Sequence, residues 1–102
     1  MFQVQQTEHF ERWLFKLKDR RATARILARL DSLRLGNLGD CKSLGGGLSE
    51  LRIHVGPGYR LYFAMRGGKL AVLLCGGDKS TQQSDINRAK RLMSDLWQEN
   101  ER

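Results

Sequence analysis

Hydrophobic residues near the start of the chain recur with the spacing of a helix. An i, i+3, i+4, i+7 stripe is formed by Phe10, Trp13, Leu14 and Leu17, which is the pattern of one buried helix face. Thr7 precedes this stripe, and its hydroxyl can accept a hydrogen bond from the first helical turn. The pattern therefore predicts a short helix that is capped by Thr7.

A second helical stripe follows after a short break. Asp19 interrupts the first stripe and can cap the second, and Gly36 is placed to end it. The apolar positions of this stripe are Ile26, Leu27, Leu30 and Leu33. The rest of its surface carries Arg20, Arg21, Arg25, Arg29 and Arg34. Two short helices that are joined by a tight turn indicate an antiparallel helical hairpin.

The period of the pattern changes to two in the middle of the chain, after a glycine-rich passage. One set of positions is Ser49, Leu51, Ile53 and Val55, and the other is Leu48, Glu50, Arg52 and His54. Beyond the turn at 56–58, Tyr59, Leu61, Phe63 and Met65 alternate with Arg60, Tyr62, Ala64 and Arg66. This alternation predicts two strands that each have a buried and an exposed face.

The turn between these two strands predicts how they pair. A three-residue loop of Gly56, Pro57 and Gly58 puts every apolar pair on one side of the hairpin. The apolar pairs are then Val55–Tyr59, Ile53–Leu61 and Leu51–Phe63. The polar pairs are His54–Arg60 and Arg52–Tyr62. A slip by one residue would place charged side chains in the core, so we expect this register and an open polar face.

The last third of the chain predicts a third long strand and a closing helix. Gly67 and Gly68 make a hairpin turn into a strand at 69–75, whose nearly unbroken apolar run 70–74 suits a strand that is covered on both faces. A loop is expected at 76–79, followed by a capping box of Ser80 and Gln83. The closing helix has an apolar face of Ile86, Ala89, Met93, Leu96 and Trp97.

These elements predict one α+β domain that covers residues 1–102. Its order is α-α-β-β-β-α, and the sequence also allows a further short strand near residues 42–44. We expect an N-terminal helical hairpin packed on a small antiparallel sheet, together with a C-terminal helix. A chain of 102 residues buries one modest core, so any active site is expected to be shallow and open.

Charge narrows the choice of partner. The net charge of +7 results from 12 Arg and 6 Lys against 11 acidic residues. A guanidinium group binds phosphates in a fixed bidentate geometry. Nucleic acid is therefore the first partner to consider, ahead of an acidic protein or a membrane surface. The five arginines of the second helix are expected to form a solvated or RNA-facing surface. The sequence has no spanning stretch and no signal-peptide pattern, so we expect a cytoplasmic protein without a membrane partner.

Several familiar motifs fail when their spacing is checked. Asp78 stands where a phosphate-binding P-loop needs its second glycine. Residues 47–51 lack the second glycine of a nucleophile elbow. Cys41 and Cys75 lie far apart, and neither has a histidine at ligand spacing. We therefore expect two reduced thiols, with Cys75 in the core, and neither a metal site nor a cofactor.

The polar face of the predicted hairpin carries the chemistry that RNA cleavage requires. That reaction needs a base for the 2′-hydroxyl, cations for the charge that develops on the phosphate, and an acid for the leaving oxygen. We expect His54 to be the base or acid, and Arg60 and Lys79 to stabilise the phosphate. The residues expected to bind RNA are Arg52, Arg66, Lys42 and Tyr62, the last as a stacking platform. The ordinary alternative is a solvated sheet face on which Arg52 pairs with Glu50.

Five segments of the chain resemble a known group of proteins. They are Thr7-x-x-Phe10-x-x-Trp13-Leu14, Gly36-Asn37-x-Gly39-Asp40-x-Lys42, Glu50-Leu51-Arg52-Ile53, Gly56-Pro57-Gly58-Tyr59-Arg60-x-Tyr62-Phe63 and Gly76-Gly77-Asp78-Lys79-Ser80-x-Gln82-x-x-Asp85-Ile86. Together they resemble the RelE/ParE superfamily of bacterial toxins, and they are most similar to its HigB-like addiction module killer proteins.

This resemblance implies a toxin of a type II toxin-antitoxin system that enters the ribosomal A site and cuts mRNA there. Its partner would be a cognate antitoxin, often a helix-turn-helix protein. The functional basic residues of the RelE pattern fall on His54 and Arg60, and near Lys79. The pattern also includes a C-terminal Tyr or a Tyr-His ending, whereas no Tyr or His follows Tyr62 in this chain.

Two other functions remain open, the first of them because the chain departs from this pattern. ParE-type relatives share the fold, lack the nuclease residues and poison DNA gyrase by protein contact. A plain RNA-binding module would also fit the charge of the chain.

Overall fold

The structure is a computed structural model that describes the backbone of residues 1–100 and the side chains of residues 1–98. Its elements in chain order are β1 (Gln3–Gln6), α1 (Glu8–Lys16), α2 (Arg20–Arg34), β2 (Cys41–Gly45), β3 (Leu48–Ile53), β4 (Tyr59–Arg66), β5 (Leu70–Asp78), a 3-10 turn (Lys79–Thr81) and α3 (Gln82–Asn100). No helix in this described part of the chain is long and apolar enough to cross a membrane.

The strands form one five-stranded sheet in the order β1-β5-β4-β3-β2. Neighbouring strands from β2 to β5 pair antiparallel. The exception is β1, which pairs parallel with β5. The pattern of apolar residues does not predict β1, because Val4 is the one large apolar residue in its four positions. The α+β class is confirmed, but the sheet is mixed instead of purely antiparallel.

Both helices of the N-terminal hairpin begin at the expected caps. The Thr7 hydroxyl accepts a hydrogen bond from the backbone N–H of Phe10 at 3.1 Å. Asp19 accepts one from the N–H of Ala22, also at 3.1 Å. The expected apolar stripe of α2 is wrong at Leu27, whose surface is 48% exposed.

The sheet is covered on both faces. The hairpin α1–α2 packs on one face through a cluster that includes Phe10, Ile26, Leu30, Leu33, Leu51, Leu61, Phe63 and Leu73. The other face packs against α3 through Leu48, Tyr62, Ala64, Val72, Leu74, Cys75 and Ala89. Strand β5 contributes to both clusters, as its unbroken apolar run predicts. Cys75 is a buried free thiol in the second cluster, as expected.

The expected register of the β3–β4 hairpin is wrong by two residues. Ile53 pairs with Tyr59 and Arg52 with Arg60, whereas the sequence predicted Val55 opposite Tyr59. The loop consists of the five residues 54–58 instead of three, and it is closed by a hydrogen bond from the Gly58 N–H to the Val55 carbonyl at 3.1 Å. A shift of two residues keeps every side chain on its original face, so the alternation of the sequence is equally compatible with both registers.

Strand β5 continues through Gly76, Gly77 and Asp78, where the sequence predicted a loop. Each glycine lies under a packed side chain. A Cβ atom at Gly76 would come within 2.5 Å of the Trp13 ring, and one at Gly77 would overlap the carboxylate of Asp85. These glycines therefore allow Trp13 and Asp85 to pack closely on the strand, and they do not form a turn.

The expected capping box before α3 is also wrong. Asp78 is the residue that caps this turn, since its carboxylate accepts a hydrogen bond from the backbone N–H of Ser80 at 2.8 Å. The Ser80 hydroxyl donates to the same carboxylate oxygen. The Ser80 side chain therefore bonds to Asp78, and it does not cap α3 together with Gln83.

Candidate functional site

A polar cavity of about 380 Å³ lies at the end of the sheet where the β3–β4 loop turns. The residues that line it are Arg52, Ile53, His54, Val55, Gly56, Pro57, Gly58, Tyr59, Arg60 and Lys79. The four basic side chains among them belong to the site that the sequence analysis expected. None of the ten lining residues is acidic, so the wall of the cavity is positively charged.

A buried carboxylate holds the two arginines of the cavity. Arg52 and Arg60 face each other across β3 and β4. The Arg52 Nε atom lies 3.0 Å from Glu50 Oε1, and the Arg60 Nε atom lies 3.8 Å from the same oxygen. The second oxygen of Glu50 accepts a hydrogen bond from Gln82 Nε2 at 2.9 Å. Glu50 therefore links both guanidinium groups to the first turn of α3.

Glu50 is completely buried. Desolvation by burial raises the pKa of its carboxyl group, but the hydrogen bonds from Gln82 and Arg52 and the charges of Arg52 and Arg60 outweigh it. The net effect is a pKa below the ordinary value of a glutamate, so the group is ionised at neutral pH. The Arg52–Glu50 pair that the sequence analysis gave as an alternative is thus present, and it lies at the edge of the cavity instead of on a solvated face.

Arg60 has hydrogen-bonding capacity left for a ligand. Its side chain is 14% exposed, and Nη1 donates to the Gly58 carbonyl at 3.3 Å. Its Nε atom is buried and has no hydrogen-bond partner within the described part of the chain. A phosphate in the cavity would give this guanidinium group an acceptor of the right charge.

Lys79 is the first residue after β5, and it lines the cavity. A Cβ atom added at Gly58 would lie 4.0 Å from Lys79 Cβ and 3.8 Å from Arg60 Nη1, so both residues lie beside this glycine. Gly58 has a φ of +81°, a conformation that is strained for other residues. Glycine therefore allows the turn at this position.

His54 comes directly after β3, and its side chain is 75% exposed. Its Nε2 atom lies 2.5 Å from Asp40 Oδ2. This hydrogen bond is the main cause that lowers the pKa of Asp40 below its ordinary value. The pair places an imidazole among the residues that line the cationic cavity.

Three of the expected RNA-binding residues do not join the cavity. Tyr62 is completely buried against α3, so its expected exposure was wrong and its ring is not accessible for stacking on a base. Arg66 lies at the opposite end of β4, roughly 20 Å from Arg60 at about 3.3 Å per residue, and its guanidinium carbon lies 4.9 Å from the centre of the Trp97 ring. Lys42 is exposed on β2 opposite Glu50 and does not line the cavity.

Three residues that the sequence analysis did not assign to the site support it. Asp40 bonds to His54, Gln82 bonds to Glu50, and Arg29 donates to the Arg52 carbonyl at 2.5 Å. Asp40 and Gln82 belong to the segments that carry the family resemblance, and those segments were a signal by which these two residues could have been found. Arg29 was counted with the surface arginines of α2, and its spacing gives no sign of this contact.

An apolar groove of about 690 Å³ lies outside this site, between α1 and α2, and its lining includes Leu14, Phe15 and Leu27. Phe15 is 91% exposed there.

Among the described residues, no group of three or more His, Cys, Asp or Glu side chains is arranged to hold a metal ion.

Comparison with known proteins places the fold and the family. Residues 12–94 match the family described as "Phage derived protein Gp49-like (DUF891)". An uncharacterised protein from Haemophilus influenzae is 52% identical over 94 residues, which cover 92% of this chain and 95% of that protein. The crystal structure of YafQ from E. coli is similar over 80% of this chain and 98% of that one, with a TM-score of 0.56 and 16% sequence identity. The chain therefore belongs to the Gp49-like family of phage-derived proteins, and its fold is the RelE-like fold that it shares with YafQ.

Proposed function

We propose that the protein is the toxin of a type II toxin-antitoxin system and acts as a ribosome-dependent mRNA endoribonuclease. The observation that carries this proposal is the cavity that joins His54, Arg60 and Lys79. Membership of the Gp49-like family, which has a RelE-like toxin fold, supports the toxin assignment. The motif segments of the sequence support a HigB-like type.

The arrangement of the cavity suits cleavage through the 2′-hydroxyl of the RNA. His54 takes the proton of the 2′-hydroxyl, whose oxygen then attacks the adjacent phosphorus atom. Arg60 and Lys79 stabilise the negative charge that develops on the phosphate oxygens. The bond from phosphorus to the 5′ oxygen breaks, and that oxygen takes a proton from water. The products are a 2′,3′-cyclic phosphate and a 5′-hydroxyl end.

The ribosome supplies what the cavity lacks. With Tyr62 buried, none of the residues that line the cavity is placed as an exposed aromatic platform for a base, since Tyr59 is only 9% exposed. The decoding site holds an mRNA codon in a fixed conformation, so we propose that the ribosomal A site positions the substrate. Neutralisation is proposed to come from a cognate antitoxin, of helix-turn-helix type as in the HigB-like group.

Cleavage mapping with and without ribosomes tests this function. We expect purified protein to cut mRNA within codons when 70S ribosomes are present, and to leave the same free mRNA intact. His54→Ala and Arg60→Ala should each reduce cleavage on the order of 10²-fold or more, the usual contribution of an acid–base group or a preorganised charge. Lys69→Ala is the matched control, because Lys69 is exposed at the opposite end of the sheet. Full cleavage by either site variant would rule out the catalytic assignment.

A gyrase poison is the second candidate, and one observation favours it. The groove between α1 and α2 exposes Phe15 and Leu27, which is a surface suited to contact with another protein. A gyrase poison would depend on this hairpin and not on His54. Inhibition of DNA supercoiling that is abolished by Phe15→Ser, in the absence of any ribosome-dependent cleavage, would establish this candidate in place of the nuclease.

A further inference from the structure

We infer that Asp40 is a positioning residue that fixes the ring of His54, and that Arg29 of α2 holds Asp40 in place for this purpose. The inference deepens the proposed nuclease function and rests on it for its catalytic consequence. The contact between the two side chains is independent of that function.

The ring of His54 depends on Asp40 for its orientation. His54 lies in the loop after β3 and is 75% exposed, so core packing does not fix its side-chain torsions. Within the described residues, the Asp40 carboxylate at 2.5 Å is its one side-chain hydrogen-bond partner. An exposed ring without such a partner samples several rotamers, and a base must stay within hydrogen-bonding reach of its proton.

Arg29 fixes the backbone that carries Asp40. Its Nη2 atom donates to the carbonyl of Leu38 at 2.8 Å and to that of Asp40 at 3.3 Å. Its Nη1 atom donates to the carbonyl of Arg52 on β3 at 2.5 Å. One guanidinium group therefore joins the loop before β2 to the end of the strand that leads into His54.

One further hydrogen bond and a glycine support this arrangement. The backbone N–H of Arg52 donates to the Asp40 carbonyl at 2.9 Å. Gly39 has a φ of +64°, and a Cβ atom there would lie 2.8 Å from Arg29 Nη2. Glycine at this position thus allows Arg29 to approach the loop, and the loop presents the Asp40 carboxylate to His54 in one geometry.

The geometry also selects the tautomer of the ring. A neutral imidazole has one N–H group, and its other nitrogen is an acceptor. Donation from Nε2 to the charged Asp40 carboxylate leaves Nδ1 as the nitrogen that can take a proton. When the ring is protonated, the same carboxylate stabilises the imidazolium, as a neighbouring carboxylate does in other catalytic histidine pairs.

The first test is an NMR measurement that does not depend on nuclease activity. At about pH 8.5, where an ordinary imidazole is neutral, the wild-type protein should show the Nε2–H tautomer of His54 with an N–H signal protected from exchange with water. Asp40→Ala should remove that protection, and Asp40→Asn should keep part of it. Asp31→Ala is the control, since Asp31 is an exposed partner of Arg34 at 2.7 Å on α2. Equal protection in wild type and Asp40→Ala would overturn the inference.

The second test is the rate of mRNA cleavage on ribosomes. Asp40→Ala should lower the rate roughly 10- to 100-fold, less than the full contribution of a general base, with Asp40→Asn in between and Asp31→Ala unchanged. An unchanged rate in Asp40→Ala would also overturn the positioning role. If the wild-type protein cleaves no RNA at all, the proposed function fails, and the NMR comparison still decides whether Asp40 positions the ring.

Discussion

At the scale of single residues, Glu50 has the most unusual environment of the site. It is a fully buried carboxylate whose two oxygens are shared by Arg52, Arg60 and Gln82. Removing one partner of a buried ion pair leaves charge without compensation, which costs far more than losing an exposed pair. Glu50 is therefore expected to matter for stability as well as for the position of both arginines.

Glu50→Ala should lower the free energy of unfolding by about 3 kcal/mol, at the lower end of the range for broken buried pairs because Arg52 is partly exposed. Urea denaturation measures this change. Glu8→Ala is the matched control, since Glu8 pairs with Arg12 at 4.0 Å on the surface of α1, and its loss should cost less than about 0.5 kcal/mol. Equal effects of the two substitutions would contradict the role given to Glu50.

The lowered pKa of Glu50 also determines how the stability of the protein changes at acid pH. A group whose pKa is lower in the folded state stabilises the fold above its unfolded pKa of about 4.3, and this contribution is lost as the pH falls through the folded value. The melting temperature of the wild-type protein should therefore fall as the pH drops below about 4. Glu50→Gln should show a weaker fall over that interval, and a parallel fall in both proteins would count against the ionised carboxylate.

At the scale of elements, β5 joins the core to the site. Its first half is apolar and lies between the two clusters, and its end carries Gly76, Gly77 and Asp78 before the turn with Lys79. Trp13 of α1 packs over Gly76, and Asp85 of α3 packs over Gly77. The helices on both faces thus hold the strand end that delivers Lys79 to the cavity.

Gly76→Ala should destabilise the fold by about 3 kcal/mol, because the new methyl group meets the rigid Trp13 ring at 2.5 Å. Thermal or urea unfolding measures the loss. Gly46→Ala is the comparison, since its Cβ would meet nothing within 4 Å and only its backbone conformation costs about 1 kcal/mol. In a Trp13→Leu background the cost of Gly76→Ala should shrink. A cost that does not depend on Trp13 would show that packing is not the reason for this glycine.

At the scale of the whole molecule, the site is an assembly of segments far apart in the chain. The loop that carries Asp40, the β3–β4 loop with His54 and the turn with Lys79 meet at one end of the sheet. The hairpin covers one face of the sheet and α3 the other, so this end remains open to a large ligand. The positive wall of the cavity and the net charge of +7 together favour a phosphate-rich partner.

Binding to ribosomes should weaken steeply with salt, because each phosphate contact releases condensed counterions. The slope of log affinity against log salt should fall by about 0.7 for each cation removed from a single-stranded contact. Lys79→Gln should lose about that much slope, and Lys69→Gln, at the far end of the sheet, should lose less. Titration at several salt concentrations measures this, and an affinity that does not respond to salt would argue against phosphate contacts.

Much of the fold was predictable because helix and strand patterns are local. The stripes that end in Leu17 and Leu33, the caps Thr7 and Asp19 and the alternation around Arg60 each follow from residues within a few positions of one another. They identified both helices of the hairpin, the two central strands and the closing helix. The alternation also put His54, Arg52 and Arg60 on the same face of the sheet, and all three line the cavity of the candidate site.

The rest was decided by contacts between segments that are distant in the sequence. A shift of two residues in the β3–β4 register leaves the alternation unchanged, and Tyr62 and Glu50 are buried because α3 covers their face. The parallel pairing of β1 and the contacts of Arg29 and Asp40 join parts of the chain that no local pattern connects. The sequence by itself therefore determined the three helices, the central strands and which side chains of those strands share a face. Only the tertiary structure decided which polar residues are buried supports and which remain open to a ligand.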